Sequence, residues 1–186
     1  MLTNTRAVTA AHCWWSPPFQ ARQFTMVFGS ALLFSGGVRV DTDQVEMHAN
    51  YHTNNLNNDI PPNLCVFVTD HIQRIALPTG ADLNSNYVGS WAHAAGYGRN
   101  SDSHTSPGAG ISSTQAKHHV LLQVISNAAC MQQYGGVVIA STLCTSGAGG
   151  VGTCGGDSGG PLSITSGGAR VLVTILHLFI PCSGPF

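Results

Sequence analysis

Short apolar runs separated by turn-forming residues constrain this chain more than any other feature. Glycine occurs 22 times in 186 residues, and Ser, Thr and Asn fill much of the space between β-branched and aromatic runs. Such punctuation favours an all-β, turn-rich fold over a helical one. Runs at 23–28, 38–40, 44–47 and 72–77 read as strands of a first half, and those at 91–96, 119–125, 137–143, 161–164 and 171–178 as strands of a second. Val38 and Val40 alternate in opposite phase to Val45 and Met47, which predicts a bulge or break between them. The one helix expected covers 126–134, with Ser126 or Asn127 as its cap. A polar loop at 78–86 joins the halves, no internal repeat or low-complexity linker is present, and many short strands point to a barrel or sandwich.

Composition narrows the function. The length suits one domain, or two small lobes sharing a cleft. Charged residues are 8% of the chain, against about 25% in an average soluble domain. With a formal charge of −1 there is no electrostatic basis for binding nucleic acid or an acidic membrane. The apolar stretch 171–180 is too short to span a bilayer. The basic residues are six arginines and Lys117, a bias that is either chance in so small a set or an adaptation that preserves charge in an alkaline fluid. Cysteines at 13, 65, 130, 144, 154 and 182 form no C-x-x-C pair, which argues against zinc and for disulfides in a secreted protein. Yet Met1-Leu2-Thr3-Asn4 has neither the basic start nor the apolar stretch of a signal peptide, so compartment and N-terminus disagree.

The chemistry concentrates in Thr153-Cys154-Gly155-Gly156-Asp157-Ser158-Gly159-Gly160-Pro161-Leu162. Ser158 is a hydroxyl nucleophile between glycines whose peptides can turn their N–H groups toward one point, as acyl transfer requires. The same residues satisfy G-x-S-x-G, the nucleophile elbow of α/β-hydrolases, but that fold needs an acid and then a histidine after the serine. No Asp or Glu follows Ser158, and the only later histidine is His177, so that reading fails. The reverse order works: His12 in Thr9-Ala10-Ala11-His12-Cys13, Asp59 in Asn57-Asn58-Asp59-Ile60, then Ser158. A base must meet the nucleophile, and a carboxylate must hold the base's other nitrogen. The remaining histidines suggest no metal site: His48 and His52 fall in strand and loop rather than on a helix face, and His118 and His119 point to opposite faces of a strand. No metal and no cofactor are expected.

These segments, in this order, resemble the trypsin/chymotrypsin family of serine endopeptidases, and most of all an insect digestive chymotrypsin. Ala94-Ala95-Gly96-Tyr97-Gly98 is similar to the strand that opens the family's second barrel, and the similarity runs through most of 3–170. The resemblance implies two six-stranded antiparallel Greek-key barrels with the active site in the cleft between them, both incomplete here. It divides the peptidase domain, 1–186, into an N-terminal barrel at 1–77, a connection at 78–90 and a C-terminal barrel at 91–186. It implies Ser158 as nucleophile, His12 as general acid/base, Asp59 orienting His12, and the backbone N–H groups of Gly156 and Ser158 as oxyanion hole. Gly152 matches the floor of the specificity pocket. A trypsin carries an aspartate there, so an uncharged floor implies large apolar or aromatic substrates. Cys130–Cys144 and Cys154–Cys182 are the implied disulfides, while Cys13 lacks the upstream partner it has in the family and Cys65 matches no family cysteine. The implied partners are protein or peptide substrates and proteinaceous inhibitors, with no nucleic acid or membrane. A monomer in an extracellular setting, the gut lumen above all, is expected.

Departures from the family carry expectations of their own. The freed N-terminus that pairs with the aspartate before the nucleophile is absent, which leaves Asp157 without its partner. Pro61-Pro62 interrupts an expected apolar strand, and the family pattern fades after Arg170. Both breaks, at 61–71 and 171–186, have the form left by a shifted reading frame or exon boundary. Two other readings are a non-catalytic protease-fold binding protein, although no triad residue is lost, and an inactive product.

Overall fold

Period-two alternation is cleanest around residue 91, and the largest sheet is built there. The computed structural model describes residues 1–61, 63–65, 72–100 and 110–177. Its first half contains β1 (Arg6–Ala7), β2 (Trp15–Ser16), β3 (Phe19–Gln20), β4 (Phe24–Phe28), β5 (Val38–Thr42), β6 (Val45–Glu46) and β7 (Asn63–Cys65). These form antiparallel ladders β1-β7-β6, β2-β3 and β4-β5. The second half holds β8 (Trp91–Gly96), β9 (His118–Ile125), α1 (Asn127–Tyr134), β10 (Cys144–Thr145), β11 (Pro161–Ser166) and β12 (Ala169–Ile175). Its antiparallel sheet runs β10-β9-β8-β11-β12. The expected all-β class holds, with a single α-helix among the described residues.

The alternation explains the packing. In β8 Trp91 is 61% exposed while Ala92 and Ala94 are buried, and in β9 Leu122 and Val124 are buried between exposed Leu121 and Gln123. Their inward faces meet Leu162, Ile164, Val171 and Leu176 in one core. Among the described residues, the first-half cluster centres on buried Ala7, packed by partly exposed Met1, Phe24, Met26, Phe28, Val40 and Val45. The predicted break falls between β5 and β6, which belong to different ladders. The helix begins at its expected cap: Ser126 Oγ accepts from Ala129 N–H. The expected Cys130–Cys144 disulfide ties that helix to β10 across 14 residues, a closure that stabilises by about 3 kcal/mol in the chain-entropy view.

Three expectations about strands need correction. Residues 72–77 form no strand. They run as an extended strap in which Ile75 N–H donates to Met1 C=O and Ala76 bridges Val171, linking the halves. Residues 137–143 form no strand either, because Gly135 and Gly136 open a 3-10 turn and Thr142 N–H closes another on Ile139 C=O. Pro61 does not interrupt the strand order. It is buried just before β7, where a proline is tolerated, and the β7 backbone pairs with both neighbours. The strand expected at 171–178, by contrast, forms: β12 completes the sheet through Ile175, and Leu176 enters the core. Residues 66–71 and 178–186, including the end of the expected 171–178 strand, lie outside the described residues.

Candidate active site

Small residues bring the His12 segment against the Ser158 loop. Ala10 and Ala11 are fully buried, and a 3-10 turn over Ala11–Cys13 presents the His12 ring. Thr9 Oγ1 donates to Gly159 C=O at 3.2 Å, an approach that leaves no room for a side chain at 159. Gly159 also has φ +84°, so glycine is required there on two counts. Asp59 reaches His12 from a turn in which Leu56 and Asn58 adopt left-handed φ of 56° and 58°. Asn58 supports that turn by donating from Nδ2 to Asn50 C=O at 2.9 Å.

The His12–Asp59 pair is doubly joined. His12 N–H donates to Asp59 Oδ1 at 2.7 Å, and His12 Nδ1 lies 2.6 Å from Oδ2. Burial alone would lower the imidazole, but the Asp59 hydrogen bond, followed by contact with Cys13 and the two nearby charges, raises His12 to about 10. Burial alone would raise Asp59, but its hydrogen bonds from His12, His177 and the His12 backbone hold it down at about 2.

Ser158 stands beside this pair without a hydrogen bond to it. Cys13 Sγ bridges them, 3.7 Å from His12 Nε2 and 3.7 Å from Ser158 C=O. Among the described residues Ser158 Oγ makes no hydrogen bond, and no acceptor takes the N–H of Gly156 or Ser158. Gly156 has φ +100°, which turns its peptide as only glycine readily does.

The expectation for Asp157 was wrong in its physical premise. Its Oδ1 accepts from Gly98 N–H at 2.7 Å and its Oδ2 from Cys154 N–H at 2.8 Å. Backbone donors therefore satisfy the carboxylate without an ammonium group. Gly152, Gly150 and Val151 line a cavity of about 430 Å³ whose other walls include Asp59 and His177, whereas His12 and Ser158 do not border it. Cys13 is a free thiol, as expected. Cys154 is disulfide-bonded, while Cys182, its expected partner, and the Cys65 side chain lie outside the described residues.

One residue at the site was not foreseen. His177 Nδ1 also lies 2.6 Å from Asp59 Oδ2. The only sequence signal was that His177 is the sole histidine after Ser158. The three donor atoms lie within 4.8 Å of one another, but separations of 2.6 Å are hydrogen-bond distances. Ligand atoms around a tetrahedral zinc stand about 3.3 Å apart, given its bond lengths of about 2.0–2.1 Å.

A mostly β fold, a His–Asp pair on the first half and a serine loop on the second define a trypsin-like serine protease domain. The family model described as Trypsin matches residues 1–185, and the chain belongs to that family. It is 29% identical over 170 residues to a collagenase of Hypoderma lineatum, with 89% of this chain and 59% of that protein covered. It is 30% identical over 182 residues to serine protease 1 of Drosophila melanogaster, covering 94% of this chain and 62% of the relative. Alkaline trypsin C of Manduca sexta is 33% identical over 175 residues, covering 87% and 62%. A solved structure of HL collagenase superposes with a TM-score of 0.77 at 28% identity, covering 98% of this chain and 75% of that one. The chain thus spans less than two thirds of the length of these curated relatives.

Proposed function

We propose that the protein is a serine-type endopeptidase in which Ser158 attacks the scissile carbonyl. His12 takes the Ser158 proton at Nε2 and returns it to the leaving amine, while Asp59 holds Nδ1–H and stabilises the imidazolium. The N–H groups of Gly156 and Ser158 receive the oxyanion. The observation that carries the reading is the two-point grip of Asp59 on His12, at 2.7 Å and 2.6 Å, which fixes both ring orientation and tautomer. Gly152 places no charge at the pocket floor, which supports large apolar or aromatic P1 residues rather than Lys or Arg. Disulfides at Cys130–Cys144 and Cys154, with few charged residues, support an extracellular, digestive setting and a monomer acting on protein or peptide substrates.

A second reading is a binding protein on the same fold. It is favoured by one observation: His12 Nε2 faces Cys13 Sγ, and Ser158 Oγ is not hydrogen-bonded to the ring. Apo geometry of this kind often tightens when substrate binds. A serine-directed fluorophosphonate decides between them. Labelling that is abolished by Ser158→Ala, together with cleavage after Phe or Tyr in a peptide, supports the protease. Absence of labelling in the folded protein supports the binder.

A further inference from the structure

Gly155 has no left-handed backbone to explain it, yet a side chain there would collide with Arg99. A Cβ built on Gly155 would lie 2.9 Å from Arg99 Nη2 and 3.2 Å from Nε. The two residues are also joined through their backbones, Arg99 N–H donating to Gly155 C=O at 2.9 Å. The guanidinium of half-buried Arg99 thus fills the space that a side chain at 155 would take. It does so directly before Gly156, whose N–H is proposed to receive the oxyanion.

Among the described residues no carboxylate pairs with this guanidinium. Asp157, on the same loop, gives both its oxygens to the N–H groups of Gly98 and Cys154. An arginine without a counter-ion, beside a reactive serine, offers a planar fork of donors that matches a carboxylate. Ile111 adds an apolar wall: its Cδ1 lies 3.1 Å from the Cβ position of Gly156, and the residue is 40% exposed. Arg99, Ile111 and Gly155 all lie off the cavity that Gly150, Val151 and Gly152 line. The serine loop therefore presents one face to that cavity and another, carrying Arg99, away from it.

We propose that Arg99 is a specificity-determining residue that recognises an acidic side chain at P2′, on the leaving-group side of the scissile bond. The proposal rests on the roles given above to Ser158 and Gly152. A substrate bound in extended form points successive side chains to opposite sides. With P1 entering the cavity at Gly152 on the second half, P1′ faces the first half, where His12 and Cys13 lie. P2′ then returns to the second half beyond Ser158, at the face that carries Arg99. An Asp or Glu there gains a charge-assisted pair with the guanidinium, whereas a Lys meets like charge. Arg99 is only half-buried, so the pair is partly screened and the preference is modest and salt-sensitive.

The test uses internally quenched peptides with Phe at P1 that differ only at P2′, which is Asp, its neutral isostere Asn, or Lys. In the wild type, kcat/KM should favour Asp over Asn by about three- to fivefold and over Lys by about tenfold. Added salt should shrink both ratios. Arg99→Met keeps an unbranched chain over Gly155 without its charge, and both ratios should fall to about one. Arg99→Lys should retain part of the preference, because it keeps the charge and loses the fork. Wild-type ratios near one, or ratios that survive in Arg99→Met, overturn the proposal. If the methionine variant does not fold, the wild-type ratios and the lysine variant still decide. Anisotropy titrations of the same peptides, carrying a fluorophore, against Ser158→Ala read recognition without turnover. A wild type inert to fluorophosphonate and to the peptides, with the Asp preference intact in binding, sinks the protease reading alone and upholds Arg99. Labelling and cleavage with equal ratios sink only the role of Arg99, and neither cleavage nor binding of any peptide overturns both.

Discussion

Asp157 occupies the space that any side chain on Gly98 would need. Gly98 N–H donates to Asp157 Oδ1 at 2.7 Å, and a Cβ built on Gly98 would come within 2.5 Å of the carboxylate carbon. The Gly-Tyr-Gly pattern at 96–98 is thus part of the serine loop's support, although it lies at and just beyond the end of β8. Gly98→Ala is expected to cost about 1–3 kcal/mol through overpacking. Asp157→Ala leaves the Gly98 and Cys154 N–H groups without their acceptor, at about 1–3 kcal/mol each. Gly110→Ala is the control, because nothing lies within 4 Å of its Cβ position. Urea unfolding compares them, and a Gly98→Ala midpoint equal to that of Gly110→Ala would contradict the packing argument.

The His12–Asp59 pair predicts the pH range of greatest stability. His12 is raised from 6.5 to about 10, so its contribution is complete below 6.5 and is lost as pH rises through about 10. Asp59 is lowered from 3.8 to about 2, so its contribution is complete above 3.8 and is lost as pH falls through about 2. The two overlap fully between 3.8 and 6.5. Thermal midpoints measured across pH in the wild type and in Asp59→Asn check this. The variant should lose most of the dependence at both ends, and parallel curves would refute the assignment.

The same shift bears on rate. General-base action needs neutral His12, and a ring raised to about 10 is mostly protonated at pH 7. Acylation measured as fluorophosphonate labelling should therefore keep accelerating into the alkaline range, about tenfold per pH unit below the His12 midpoint. A plateau reached near pH 7 would show that His12 titrates close to its ordinary value.

What the sequence revealed follows from how local each signal is. The strand β8 was readable because inward and outward residues alternate from Trp91 to Ala95, and α1 because Ser126 caps it. His12, Asp59 and Ser158 were nameable because each sits in a short segment with its own composition. Misreadings arose where β-branched residues outvoted their neighbours: Val137, Val138 and Ile139 look like a strand, but Gly135 and Gly136 turn the chain into them. The contact of His177 with Asp59 had no local signature, since it depends on how β12 ends against the serine loop. The backbone support of Asp157 was hidden for the same reason.

The two halves should differ in rigidity. Among the described residues, the second-half core is built around eight buried residues, including Leu162, whereas Ala7 is the one buried member of the first-half cluster. Leu162→Ala is expected to cost about 2–5 kcal/mol, while Phe19→Ala, at a side chain 76% exposed, should stay within about 0.5 kcal/mol. Native-state hydrogen exchange should show amides of β4 and β5 opening at lower free energy than those of β8 and β9. Uniform protection across both halves would mean that they unfold as one unit.

Substrate choice can be tested at Gly152. An uncharged residue there supports apolar or aromatic P1 side chains, and a carboxylate would pair with Arg or Lys. Gly152→Asp should raise the Arg-to-Phe ratio of kcat/KM by about tenfold or more, mainly by penalising Phe beside an unpaired charge. Two peptide substrates differing only at P1 suffice, with fluorophosphonate labelling of the variant confirming that Ser158 still reacts. If labelling persists and the ratio does not move, Gly152 lies away from the P1 side chain. The cavity it lines beside Asp59 and His177 would then have to be separate from the specificity pocket.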